Sequence, residues 1–224
     1  MKYIVRSLWI ISVLCIYTVP AHAELLAVDQ YLSVKLGYSG IIADPVKIKG
    51  TLISPQEGYK KTGYISTPNL ALSVGTYYAT EYVAVRGETE YAVRFSAGTK
   101  VSSIPTSNGA SSLTLTNTVQ TILLNLFLDF NTRTFFVPYI GAGIGASFVD
   151  VKYSIDNSSA KKFYIDFSWQ VNIGAAFYIV PSLAIDIQTR YSNFGEPRLG
   201  SGNPTRMIYT AQGVDVFIGI RYTL

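Results

Sequence analysis

Apolar and polar residues alternate with a period of two along most of the chain, and nothing beyond the N-terminal segment sustains apolar positions at i, i+3 and i+4. The C-terminal segment shows the pattern most plainly. Val214, Val216, Ile218, Ile220, Tyr222 and Leu224 occupy one face, while Gly213, Asp215, Phe217, Gly219, Arg221 and Thr223 occupy the other. The same alternation sets Leu32, Val34, Leu36 and Tyr38 against Ser33, Lys35, Gly37 and Ser39. It sets Thr89, Tyr91, Val93 and Phe95 against Arg86, Glu88, Glu90 and Arg94, and Leu183, Ile185, Ile187 and Thr189 against Ala184, Asp186, Gln188 and Arg190. Such alternation predicts strands. Eight are expected, at about 30–40, 68–79, 82–96, 115–130, 135–149, 163–179, 183–192 and 209–224.

The gaps between these segments are ordered. Long gaps at 41–67, 97–114, 150–162 and 193–208 take turns with short ones around Ala79-Thr80-Glu81, Asn131-Thr132-Arg133 and Val180-Pro181-Ser182. That order predicts an up-and-down antiparallel meander. The segments are about as long as the ~9–11 tilted residues a strand needs to cross a bilayer. Long connections at one end and tight turns at the other match membrane barrels, and in lipid an open sheet edge would leave backbone groups unpaired. The predicted fold is therefore all-β: an eight-stranded antiparallel up-and-down transmembrane barrel with the apolar face outward, short periplasmic turns and four long external loops.

A barrel of eight strands has an interior that side chains just fill. The inward face then gathers Lys35, Arg86, Arg94, Arg190 and Arg221 with Glu88, Glu90, Asp129, Asp166, Asp186 and Asp215. Buried charges need partners, so this set reads as a structural salt-bridge network rather than as acid/base or metal chemistry at Glu88 and Glu90. Aromatic residues fall near both strand ends, Tyr78, Tyr82, Phe130, Phe135 and Tyr222 at one rim and Tyr38, Phe95, Phe148, Phe163 and Tyr191 toward the other. They read as interfacial girdles.

The N-terminus changes the inventory of chemistry. Lys2 and Arg6, the apolar run Leu8 to Val19 and the motif Ala21-His22-Ala23 read as a secretory signal peptide, residues 1–23, cleaved to leave the barrel domain 24–224. Cys15 and His22 are the chain's one Cys and one His, and both lie in that segment. The mature chain then has no thiol or imidazole for catalysis, disulfides or metal binding; no catalytic residue, cofactor or metal is expected. Loss of Lys2 and Arg6 also lowers the formal charge from +4 to +2, so the basic balance does not point to nucleic acid.

One motif competes with this reading. Gly141-Ala142-Gly143-Ile144-Gly145-Ala146 fits the G-x-G-x-x-G/A pattern of dinucleotide loops and follows the apolar run "FFVPYI". Such a loop needs a helix after it to hold the pyrophosphate. Ser147-Phe148-Val149-Asp150-Val151 follows instead, which is strand-like. In register, Tyr139, Gly141, Gly143, Gly145 and Ser147 point inward, leaving room for a bulky charged side chain such as Arg94 or Arg190.

The segments "LLNLFLDF" (123–130), "FVPYIGAGIGASF" (136–148), "DFSWQVNIGAAFYIVPSLAIDIQTRY" (166–191) and "VDVFIGIRYTL" (214–224) resemble the opacity-protein and OmpA-like family of eight-stranded outer-membrane barrels. The resemblance runs from about Tyr31 to the end. It implies a Gram-negative surface antigen, and the C-terminal strand with Tyr222 resembles the signal read by the barrel-assembly machinery, although the family usually ends in Phe where this chain ends in Leu224.

The resemblance places function in the external loops, as an adhesin or binder of host factors, or as a structural protein of the envelope. The loops carry Lys47, Lys49, Lys60, Lys61, Lys100, Lys152, Lys161, Lys162, Arg198 and Arg206 against Asp44, Glu57, Asp150, Asp156 and Glu196. An excess of positive charge there would attract sulfated glycans, acidic host matrix or serum proteins, or lipopolysaccharide phosphates. Lys47, Lys49, Lys60, Lys61, Lys161 and Lys162 are the partner-binding candidates. The alternatives are a small-barrel lipid-modifying enzyme, for which Ser33 and Lys35 share a face, and a narrow pore.

Overall fold

The computed structural model describes residues 28–43, 47–49, 63–106, 109–155, 158–195, 198–199, 206–208 and 211–224. Their strands, in chain order, are β1 (Val28–Ala43), β2 (Lys47–Lys49), β3 (Gly63–Ala79), β4 (Val83–Thr106), β5 (Gly109–Phe130), β6 (Phe136–Ile155), β7 (Ser158–Val180), β8 (Leu183–Asn193), β9 (Arg198–Leu199), β10 (Arg206–Ile208) and β11 (Ala211–Thr223). The expected signal peptide lies outside the described residues. β1, β3 to β8 and β11 form a closed antiparallel barrel in simple meander order. β1 closes it against β11, from Tyr31 opposite Thr223 to Ala43 opposite Ala211. Closure of the wall removes the open sheet edge that a lipid environment does not tolerate.

Burial follows the alternation, inverted relative to a soluble protein. Leu126, Ile144, Ile173 and Ile218 are each about 60% exposed, whereas Lys35, Arg86, Glu90, Arg94 and Arg190 are 1% exposed. An apolar belt this continuous is stable only against lipid. Tyr78, Tyr82, Phe130, Phe135 and Tyr222 rim the belt at the short-turn end, and Tyr38, Phe95 and Phe163 at the other. Near that second rim two polar pairs sit on the outer wall, Tyr91 OH donating to Gln120 Oε1 at 3.0 Å and Tyr191 OH to Gln212 Oε1 at 2.7 Å. They mark the interface, since neither amide suits hydrocarbon.

The tight turns are locally specified. Thr80 N donates to Val83 O at 2.9 Å between β3 and β4. Between β5 and β6, Arg133 takes a positive φ of 58° and its N–H is received by Asn131 Oδ1 at 2.9 Å. Pro181 and Ser182 form the third turn.

The outer end differs from expectation in two respects. The gaps 97–114 and 150–162 hold paired strand rather than loop: β4 and β5 pair as far as Thr106 opposite Gly109, and β6 and β7 as far as Ile155 opposite Ser158. Beyond the bilayer neither face of a strand needs to be apolar, so the period-two signal fades while the backbone ladder continues. Irregularities between Arg94 and Ala97 and between Val101 and Ile104 also break the phase. Second, β2, β10 and β9 make a small separate sheet from the first and last outer connections. Its strands of two or three residues are too short for any period to register.

The orientation of the wall carries a direct prediction. Leu126→Arg, a charge placed midway along an outward-facing row, should cost about 2–4 kcal/mol in urea unfolding from lipid vesicles. An unchanged unfolding midpoint would show that this face does not meet lipid.

Candidate functional site: a filled lumen beneath basic outer connections

The inward side chains assemble into one connected network. At the short-turn end Arg86, from β4, donates Nε to Asp129 Oδ2 at 3.0 Å and Nη2 to Asp129 Oδ1 at 3.1 Å, a fork on the β5 carboxylate. Its Nη1 donates to Tyr31 OH at 3.2 Å, and Tyr31 OH in turn donates to Glu88 Oε2 at 2.7 Å. Arg221 pairs with Asp186, which also receives the hydroxyl of Tyr139, and reaches Asp129 Oδ2 at 3.5 Å. The Arg86 guanidinium lies 4.0 Å from the Phe127 ring centre and 4.8 Å from that of Tyr139, so aromatic faces cover the part of the cation that carboxylates do not.

Midway up, Lys35 Nζ stands 3.2 Å from both Glu88 Oε1 and Glu90 Oε2. Lys35 therefore bridges the two glutamates. Glu90 also pairs with Arg190, whose guanidinium lies 4.1 Å from the Phe217 ring centre. Arg190 Nη1 donates to Gln170 Oε1 at 2.9 Å, and Gln170 Nε2 donates to Asn125 Oδ1 at 2.8 Å. Higher still, Asp215 pairs with Arg94 and lies 3.6 Å from Arg190 Nε.

Five buried cations thus meet five buried carboxylates: Lys35, Arg86, Arg94, Arg190 and Arg221 with Glu88, Glu90, Asp129, Asp186 and Asp215. Asp166, expected among them, stands half-buried toward the outer end of β7 and receives the Phe167 N–H at 2.8 Å. A self-neutralising set of this kind compensates ions that have left water.

An apolar layer covers the ions on the outer side. Ile41, Val119, Val149, Phe194 and Ala211 pack together, with Tyr164 against them. Phe194 follows β8, is fully buried, and its ring centre lies 4.3 Å from the Arg94 guanidinium. The chain is pinned there by Phe194 N donating to Ala211 O at 2.8 Å and Ser147 Oγ donating to Phe194 O at 2.6 Å. Gly195 then turns the backbone at a φ of 88°, where a β-carbon would strike Asp166. Phe194 keeps the inward phase of Arg190 and Ser192, but it lies past the last residue of its strand, in a stretch that the sequence reads as loop.

The glycine run serves the same packing, though not as the sequence implied. Neither Arg94 nor Arg190 fills the space. A β-carbon on Gly141 would collide with the Phe127 ring directly opposite it, and one on Gly143 with the amide of Asn125, also directly opposite. The wall repeats the device elsewhere. Gly75 faces Tyr31, Gly174 faces Tyr139, and Gly37 faces Phe217, each as a cross-strand pair. Each glycine lets a large inward ring lie flat across its neighbour strand, and those rings are the ones that contact Arg86, Arg190 and Arg221. The motif is thus part of a ring-over-glycine wall rather than a phosphate loop.

The Ser33 and Lys35 pair does not form a nucleophile and base. Lys35 Nζ is committed to Glu88 and Glu90, and Ser33 Oγ has no hydrogen-bond partner among the described residues. Of the candidate loop cations, Lys47 and Lys49 lie in β2, and Lys161 Nζ lies 3.3 Å from Asp150 Oδ1 at the outer end of β6 and β7. Lys162 occupies a β7 position opposite Val151, and Lys60 and Lys61 fall outside the described residues.

A closed eight-stranded antiparallel barrel with a lipid-facing apolar belt, aromatic rims and an ionic interior defines an outer-membrane β-barrel protein, with the short turns on the periplasmic side. The chain matches the outer membrane protein beta-barrel domain family over residues 10–220 and belongs to it. Outer membrane protein PagN of Salmonella typhimurium is 30% identical over 105 residues, covering 43% of each chain. The chain thus matches less than half the length of that relative. A candidate adhesin of Rickettsia conorii is 22% identical over 183 residues, 77% of this chain and 72% of that one. The solved outer membrane protein OprG of Pseudomonas aeruginosa superposes with a TM-score of 0.51 at 14% identity, covering 87% of this chain and 95% of OprG, a likeness of fold.

Proposed function

We propose that this protein is a non-enzymatic surface adhesin that binds acidic host partners, sulfated glycans or acidic matrix and serum proteins, through its basic outer connections. The observation that carries this reading is the filled lumen. Among the described residues its ions are paired with one another, its rings rest on glycines, and Phe194 lies over the top, so side chains committed to one another occupy the lumen. What remains to act is the outer face, where the sequence places ten cations against five acids. The Rickettsia conorii relative, described as a candidate adhesin, supports the same direction. In this reading residues 1–23 are removed on export, lipopolysaccharide and outer-membrane lipids surround the barrel, and the C-terminal strand through Tyr222 engages the assembly machinery.

The test uses the barrel embedded in zwitterionic lipid nanodiscs over immobilised heparin and over the same glycan chemically desulfated. Retention on the sulfated resin alone, falling as salt rises toward 0.5 M, is the expected result. Equal retention on both resins, or on neither, would overturn the reading.

A further inference from the structure

Loops one and four are joined by a sheet whose register sorts its residues by charge. In an antiparallel pair, residues directly opposite share a face, and their neighbours along the strand lie on the other. Arg206 is opposite Lys49, Met207 opposite Ile48, and Ile208 opposite Lys47. On the far side of β10, Met207 is opposite Leu199 and Ile208 opposite Arg198. One face therefore holds the positions of Lys47, Lys49, Arg198 and Arg206 with Ile208. The other holds Ile48, Leu199 and Met207. Residues about 150 positions apart in sequence thus contribute to a single basic face.

Two further features point to an anionic occupant. Lys49 and Arg206 are directly opposite, and like charges in that position destabilise a strand pair unless something neutralises them. The three strands contain no acidic residue, and the acids nearest in sequence, Asp44 and Glu196, precede β2 and β9. The comparable like-charged pair at the other outer hairpin, Lys152 opposite Lys161, has Asp150 within 3.3 Å of Lys161. The three strands of the small sheet hold no acid that could do the same. The positions of its basic residues are also spaced, at about 5 Å across strands and about 7 Å along them. Such an array suits a chain of repeated anionic groups better than a single phosphate.

β2 begins four residues beyond Ala43, and β10 ends three before Ala211, the last rung of the barrel. Short connections therefore tether the sheet to the outer ends of β1 and β11.

We infer that the β2–β10–β9 sheet is the polyanion-binding site of this protein, with Lys47, Lys49, Arg198 and Arg206 contacting successive sulfate groups of an extended sulfated polysaccharide. This rests on the adhesin reading above and assigns it a place. The hairpin lysines Lys161 and Lys162 are then bystanders.

The test compares wild type, the quadruple variant Lys47→Gln/Lys49→Gln/Arg198→Gln/Arg206→Gln, and the control Lys161→Gln/Lys162→Gln, all in zwitterionic nanodiscs, against a heparin-derived oligosaccharide by titration calorimetry. Heat-modifiable gel migration verifies that each barrel is folded. The quadruple variant should bind roughly tenfold more weakly or worse, with a flatter dependence on salt, since four ion pairs to the glycan are removed. The control should stay within about twofold. If the quadruple variant binds like wild type while wild type still prefers sulfated glycan, this site is wrong and the adhesin reading survives. If wild type itself shows no binding, the adhesin reading fails and takes this site with it. If adding lipopolysaccharide to the nanodiscs abolishes oligosaccharide binding, the sheet is occupied by the protein's own membrane, which overturns the glycan assignment.

Discussion

Arg86→Met should destabilise the barrel by about 3–5 kcal/mol, the cost of leaving buried carboxylates without their partner. Arg86 is 1% exposed, forks onto Asp129 at 3.0–3.2 Å and reaches Glu88 at 3.4 Å. Met preserves much of the side-chain volume and its packing on Phe127, so the loss reports the charge rather than a cavity. The double variant Arg86→Met/Asp129→Leu should recover a large part of the stability, because the stranded ion is gone. Urea unfolding in lipid vesicles measures both. A single variant within about 1 kcal/mol of wild type would mean that the lumen is wet enough to solvate Asp129 and Glu88, and the closed interior described above would be wrong.

Gly141→Val is expected to cost about 1–3 kcal/mol by overpacking, and more if the ring cannot move. The added carbons meet Phe127, whose ring lies 4.0 Å from the Arg86 guanidinium, so displacement reaches the ion network. Adding Phe127→Leu should return part of the loss, a coupling of about 0.5–3 kcal/mol in a double-mutant cycle. Strict additivity would show that the glycine and the ring act independently. The same logic applies to Gly174 under Tyr139, where the ring's hydroxyl is held by Asp186.

The lipid-crossing part of this fold was legible because the bilayer enforces the signal. Where one face meets hydrocarbon and the other meets a charged lumen, as along Asp186 to Arg190 or Val214 to Arg221, every residue reports its side, and Lys35, Arg86, Glu88, Glu90, Arg94, Asp186, Arg190, Asp215 and Arg221 could be placed inward one by one. Which ion meets which could not be read. Arg94 and Asp215 are 121 residues apart, and their meeting depends on the closure of β11 onto β1.

Outside the bilayer the signal fails for the opposite reason. Beyond the bilayer neither face of a strand has to be apolar, so nothing compels alternation in the outer halves of β4 to β7 and they read as loops. Alternation places the rings of Tyr139 and Phe217 inward, but the seats of these rings and of Tyr31 and Phe127 on glycine depend on register, which no local pattern encodes. Charge alone singles out the candidate lysines. Register separates Lys47 and Lys49, which join Arg198 and Arg206 in one sheet, from Lys161, which lies beside Asp150.

A rigid, self-contained barrel that acts only through its outer connections is tested most directly by adherence. Cells expressing the intact chain are compared on an epithelial monolayer with cells expressing the same barrel whose four outer connections are replaced by two-residue turns, at equal amounts of folded protein in the outer membrane. The account predicts that adherence falls to the level of cells without the protein when the connections are removed. Equal adherence by the two strains would contradict it.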